Sequence, residues 1–246
     1  MVSGMTTYPA VASVPSLPSG SLLRSFFLRG PEGRLEALLN HGAADAPYAA
    51  LVCHPHPLGG GNLHNKVVYN AAKVLNDPSF GLGWPVLRFN FRGTGLSQGE
   101  HDGQAEREDV LAALQWLQQE YNRPLVAVGF SFGAAMTLGA WPLLPSAGVS
   151  GKVRAMALLG LPTAAAGRDY SYPTLPDCAV PKLFLSGDHD NFAPAAELRE
   201  VFATAAEPKT LQMLPGADHF FTGQLEAMQS ALAGWLTAFL AKENVQ

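Results

Sequence analysis

Two serines in this chain stand in the same short pattern. GLSQG at residues 95–99 and GFSFG at residues 129–133 both fit G-x-S-x-G, the spacing that sets a serine hydroxyl on a tight turn as a nucleophile. A serine hydroxyl attacks well only when a base takes its proton. That base is usually a histidine held in one tautomer by a carboxylate. Of the seven histidines, His219 in LPGADHFF stands just past the last strand-like segment and is the candidate base. Asp188 and Asp190 in SGDHDN are the candidate carboxylates. Asp190 lies further from its strand, with more room to reach His219, and is favoured. Asp188 suits loop backbone amides.

The flanks separate the two serines. Ser131 follows the apolar run PLVAVGF and is followed at once by the helical FGAAMTLGAW. A strand that turns directly into a helix strains the residue at the corner. Gly129 and Gly133 remove side chains that would clash there. The helix N-terminus beneath the serine favours negative charge. Ser97 has a strand before it, but polar QGEHDGQ after it, so GLSQG is expected to be a turn-rich loop.

An acyl transfer also needs donors aimed at the developing oxyanion. The N–H of Phe132, directly after the nucleophile, is one. The loop HPHPLGGGN should supply the other; Pro55 and Pro57 have no N–H, which leaves His56 or Leu58, with His56 favoured. Leu58, Gly59 and Gly60 are expected beside the substrate, the glycines letting the backbone bend close. His54-x-His56 could form part of a metal site, but no Asp-His follows at short spacing, so no metal is expected, nor any cofactor. Tyr170, Tyr172, Phe192 and Phe221 lie on loops at strand ends, where pocket lining and surface packing are both open readings.

These residues need elements to hold them. SLLRSFFLRG and RLEALLNHG predict an early hairpin-like pair of strands. YAALVCHP, WPVLRFNF, PLVAVGF, VRAMALLGLP, KLFLSGDHD and KTLQMLPGADH predict buried strands. Helices are predicted from Asn65 to Leu75, over REDVLAALQWLQQEY, over FGAAMTLGAWPLL, over PAAELREVFATA and from about Thr222 to Lys242. In the second, Val110, Leu111, Leu114 and Leu117 recur at helical spacing, and Glu108 and Asp109 suit the N-terminal dipole. In the last, Leu225, Met228, Leu232, Trp235 and Phe239 form one stripe. Strand and helix alternate from residue 48 onward, which predicts an α/β domain: a mostly parallel sheet with helices on both faces, opened by an antiparallel pair. Ligands of such sheets bind at the carboxyl ends of the strands, where every candidate above stands.

Composition narrows the partners. The chain has 246 residues, 48% of them apolar and 15% charged, with net charge −4. That suits a single domain over residues 21–246, behind a Pro-, Ser- and Gly-containing leader at residues 1–20 with no basic or apolar signal region. There is no basic field for nucleic acid and no apolar run of membrane-spanning length. Cys53 and Cys178 give no disulfide framework and suit a reducing, cytoplasmic compartment. The oligomeric state is left open.

Taken together, CHPHPLGGGNLHNKVV, LRFNFRGTGLSQGEHDG, VGFSFGAAM, GDHDNFAP and GADHFF resemble the small, cap-less bacterial α/β-hydrolases related to the dienelactone-hydrolase group, from about Ser21 to Lys242. The resemblance implies an eight-stranded α/β-hydrolase sheet without a lid domain. It implies Ser131 as nucleophile, His219 as base, Asp190 as orienting acid, and donors from Phe132 and the His54–Leu58 loop. It gives no role to the turn with Arg92, Gly93 and Gly95. Dienelactone hydrolases carry cysteine where this chain has Ser131, which removes dienelactone as the obvious substrate. Residues 163–180 are too few for a lid, so the site is expected to be open and to take small or short-chain acyl esters. A serine carboxylesterase acting on a small-molecule ester is thus the expectation. Thioesterase, amidase and peptidase activity share its triad, and a non-catalytic binder on the same scaffold or a metal hydrolase are the other classes.

Overall fold

The computed structural model describes residues 23–168 and 170–243; the expected leader at 1–20 lies outside them. Its strands are β1 (Leu23–Gly30), β2 (Gly33–Asn40), β3 (Ala49–Cys53), β4 (Val86–Phe89), β5 (Leu125–Phe130), β6 (Val153–Leu159), β7 (Lys182–Gly187) and β8 (Lys209–Leu214). Its helices are α1 (Lys66–Asn76), α2 (Glu106–Tyr121), α3 (Phe132–Ala140), α4 (Ala195–Thr204) and α5 (Leu225–Glu243). The strands form one eight-stranded sheet in the order β1-β2-β4-β3-β5-β6-β7-β8. β2 runs antiparallel to both its neighbours, and every pair from β4 to β8 is parallel.

The apolar runs are continuous because both faces of the sheet are covered. In β3, Ala49, Leu51 and Cys53 join a core completed by α2, α3 and α4; Ala50 and Val52 join a second core completed by α1 and α5. One residue of slip would exchange the two sets. The strand order reverses between β3 and β5, so the loops leaving these neighbours diverge and open a crevice at their carboxyl ends. Cys53 pairs with Gly129 in the register, which sets the HPHP loop directly beside Ser131.

Several boundaries differ from the sequence expectation. α3 stops at Ala140 and a 3-10 turn, Trp141–Leu143, follows, because Pro142 cannot continue an α-helix. α5 begins at Leu225 rather than Thr222. Phe221 and Gly223 are left-handed (φ 53° and 71°), and Asp218 Oδ1 accepts the N–H groups of Phe220 and Thr222, closing the loop on itself. On α5 the inward stripe takes Leu236, fully buried, while Trp235 is half-buried; on α2 Ala113 is buried and Leu111 half-buried. Asp109 does not serve the helix dipole from solvent. It is buried and grips Arg92.

Candidate active site

β5 runs into α3 with no loop between them, and Ser131 takes the corner. Its backbone lies at φ 54° and ψ −120°, a conformation that costs a non-glycine residue about 1–3 kcal/mol. The surroundings enforce it. Ser131 N–H donates to Leu159 O of β6 at 2.8 Å, and Ser131 O accepts from Ala134 N–H at 2.9 Å. A Cβ on Gly129 would come 2.3 Å from Gly133 O. One on Gly133 would come 2.5 Å from Cys53 O and 2.6 Å from His54 O. Both glycines are therefore conditions for the corner.

His219 reaches Ser131 from the loop after β8. Its Nε2 lies 2.9 Å from Ser131 Oγ, and its Nδ1 lies 2.8 Å from Asp190 Oδ2. A carboxylate only accepts, so Nδ1 carries the proton and Nε2 is left to accept the serine O–H. Asp190, buried at the end of β7, is held by four donors: His219 and the Ser186 hydroxyl (2.9 Å) on Oδ2, and the N–H groups of Phe192 (2.8 Å) and Ala193 (3.0 Å) on Oδ1. Burial pushes its carboxyl up, but the bonds from His219, Phe192 and Ser186 outweigh that and hold it below the ordinary range. Asp188 does not reach His219. Its Oδ1 accepts from Gly216 N–H at 2.6 Å and ties the β7 loop to the β8 loop.

The imidazole of His219 is boxed by the rings of Phe130 (5.1 Å), Phe192 (4.5 Å) and Phe220 (5.1 Å). A Cβ on Gly160 would come 3.2 Å from the same ring, so this glycine after β6 makes room for the base. Nothing in the sequence singled out Gly160, since its neighbour is 59 residues away in the chain. Phe221, by contrast, is fully buried against Phe130 in the core.

The loop after β3 is organised by His54. This fully buried ring donates Nδ1–H to Pro55 O (2.6 Å) and accepts Phe91 N–H at Nε2 (3.0 Å), so both its nitrogens are committed to backbone. Burial holds its imidazole down to about 4, and it stays neutral. The next histidine shapes the turn: His56 Nδ1 accepts Leu58 N–H at 3.2 Å, and His56 O accepts the N–H groups of Gly59 and Gly61, both at 3.0 Å. The Leu58 N–H is thereby occupied, whereas the N–H groups of His56 and Phe132 have no acceptor among the described residues. Of the three glycines, only Gly61 is sterically required, since its Cβ would fall 2.1 Å from Pro55 O. Gly59 and Gly60 face open space, Gly60 in the left-handed region (φ 81°). Leu58 stands 78% exposed at the mouth of the crevice.

A cavity of about 690 Å³ opens beside these donors, lined by His56, Leu58, Phe132, the outer face of α3 and Tyr170 and Tyr172 of the β6–β7 connection. Among the described residues, that connection carries two short 3-10 turns, Ala164–Ala166 and Leu175–Asp177. Phe192, 39% exposed, lies on the other side, against His219. The Ser97 hydroxyl is committed to backbone: it donates to Asn90 O (2.7 Å) and accepts from Glu36 N–H (2.9 Å). Arg92 is a strut, buried and paired with Asp109 (2.8 Å) and Glu32 (2.7 Å). Cys53 and Cys178 are free and buried. Among the described residues, no helix is long and apolar enough to cross a membrane.

Residues 51–238 match the family model described as an alpha/beta hydrolase domain. An uncharacterized protein of Rickettsia prowazekii is 36% identical over 222 residues, covering 85% of this chain and 87% of that protein. A Xanthomonas campestris protein described as a member of the a/b serine hydrolases without a lid superposes with TM-score 0.76 at 30% identity, over 92% of this chain and 98% of that one. An alpha-beta serine hydrolase homologue from Coxiella burnetii gives TM-score 0.75 at 31% identity, over 87% and 97%.

Proposed function

This chain belongs to the alpha/beta hydrolase family, and from that premise we propose that it is a serine carboxylesterase acting on small or short-chain acyl esters. The observation that carries the reading is the unbroken line of bonds from Asp190 Oδ2 through His219 to Ser131 Oγ, at 2.8 and 2.9 Å, at a strained corner beside two free N–H groups.

The steps follow from this geometry. Ser131 Oγ attacks the ester carbonyl as its proton passes to His219 Nε2. Asp190 stabilises the imidazolium and keeps Nδ1 protonated. The carbonyl oxygen, now an anion, accepts from the N–H groups of Phe132 and His56, and the N-terminal end of α3 favours its charge. Collapse breaks the bond to the alcohol oxygen, which takes the proton from His219 and leaves. Water, deprotonated by His219, then cleaves the acyl-enzyme.

The test is labelling with a fluorophosphonate followed by peptide mass spectrometry. The probe needs an activated serine and an oxyanion hole, and no knowledge of the substrate. An adduct on Ser131 and turnover of short acyl esters are expected. An adduct on Ser97, or none, would overturn the assignment, and activity rising steadily toward long acyl chains would overturn the chain-length reading.

A further inference from the structure

The cavity beside the oxyanion donors has a chemistry of its own. Arg107 and Arg168 both line it, and neither has a carboxylate within ion-pair distance among the described residues. Arg92, in the connection between β4 and α2, shows the contrast, because Glu32 and Asp109 neutralise it. Among the described residues the lining contains one acidic residue, Asp102, whose Oδ1 accepts the N–H groups of Gln104 and Ala105, each at 2.7 Å, so two guanidinium groups face one carboxylate. In a chain of net charge −4, this wall is positive.

His101 also lines the cavity and lies against Glu106 behind it. Its Nδ1 contacts Oε1 of Glu106, a fully buried carboxylate that also accepts the N–H groups of Asp102 (3.1 Å) and Gly103 (3.3 Å). The ring then packs 4.7 Å from that of His56 and 5.5 Å from that of Phe132, and its opposite edge is left to the cavity. The charge of Arg168 is also felt at His56, where burial first and Arg168 second hold the imidazole down to about 4. The cationic groups and the oxyanion donors thus share one small space.

The cavity also has a definite side. Phe132 and His56 line it and His219 does not. His219 must stand next to the leaving oxygen, since it returns the proton there. The substituent pointing away from His219 is the acyl group.

We propose that this cavity is the acyl pocket and that Arg107 and Arg168 select an acyl group ending in an anion, as in a half-ester of a short dicarboxylic acid. This rests on the serine-hydrolase reading above. An exposed guanidinium pairs with a carboxylate for up to about 1 kcal/mol, so two of them favour an anion over a neutral group of the same shape by several-fold.

The experiment compares kcat/KM, by pH-stat titration near neutral pH, for ethyl hydrogen glutarate and its uncharged isostere ethyl 5-oxohexanoate. The anionic ester is expected to be favoured by several-fold, less so at high salt. The ratio should fall toward one in the Arg107→Gln/Arg168→Gln double variant and invert in Arg107→Glu. Both arginines are exposed, so these variants should fold, which circular dichroism checks. Equal turnover of the two esters, a ratio unchanged in the double variant, or a Ser131 adduct without turnover of either ester overturns the proposal and leaves the hydrolase reading standing. The absence of both adduct and turnover would instead remove the hydrolase reading.

Discussion

Phe91 donates its backbone N–H to Nε2 of His54 at 3.0 Å, and the same ring donates Nδ1–H to Pro55 O. One neutral imidazole therefore ties the start of the β4–α2 connection to the loop that carries the His56 N–H. Protonating it would put a donor against a donor at a fully buried site.

That relationship predicts a pH dependence. Burial lowers the His54 pKa from the ordinary 6.5 to about 4, so below 6.5 the unfolded chain takes up a proton that the native state refuses. The contribution to stability is complete above 6.5 and is lost as pH falls toward 4, with a slope of about 1.4 kcal/mol per pH unit in that window. Urea denaturation across the window should show this slope as the difference between the native chain and His54→Gln. A variant with an unaltered slope would refute the account.

Ser131→Ala should lower kcat on the order of a million-fold while leaving the fold intact. The variant keeps the strained corner and loses one solvent-edge hydroxyl, so its thermal midpoint should stay within a few degrees. Retained turnover on a short acyl ester would remove Ser131 from the mechanism.

The two aspartates at the end of β7 should separate cleanly. Asp190→Asn leaves the shape but presents an amide to His219 Nδ1, and kcat should drop by about ten-thousand-fold through the wrong tautomer. Asp188→Asn weakens one bond to Gly216 N–H; it should cost about 1–2 kcal/mol of stability and little in kcat. Steady-state kinetics and melting curves on the pair check this, and an exchange of the two outcomes would reverse the assignment.

Glycines of the HPHPLGGG loop should differ according to what a Cβ would meet. Gly59→Ala projects into open space and should be nearly silent. Gly61→Ala meets Pro55 O at 2.1 Å and must move the loop. It should depress kcat more than KM, because the displaced His56 N–H is used at the oxyanion. Gly133→Ala, 2.5 Å from Cys53 O, should destabilise the whole domain by roughly 3 kcal/mol or more, the range of forced overpacking. Soluble expression, melting curves and kinetics on the three variants distinguish these cases.

Much of this was legible in the chain itself because the signals are local. Alternation of short apolar runs with helical spacing names an α/β sheet, and the strand–serine–helix junction at residues 125–140 separates Ser131 from Ser97 with no long-range information. Prolines at 55 and 57 remove two N–H groups whatever the fold. Helix starts were less legible where a loop side chain, such as Asp218 before α5, closes a turn that propensity alone would count as helix.

Other features depend on residues that meet only after folding. Gly160 and His219, 59 positions apart, touch because parallel neighbours β6, β7 and β8 bring their carboxyl ends to one edge. His54 looks like half of a metal pair until Phe91, 37 residues on, occupies its nitrogen. Arg92 and Arg107 are both arginines, yet one is a neutralised strut and the other, on α2, lines a cavity with no ion-pair partner among the described residues. Residue type and spacing fixed which chemistry was available. The sheet register decided which donors were spent on structure and which were left for a substrate, because a hydrogen bond or charge is free only when no distant partner is folded against it.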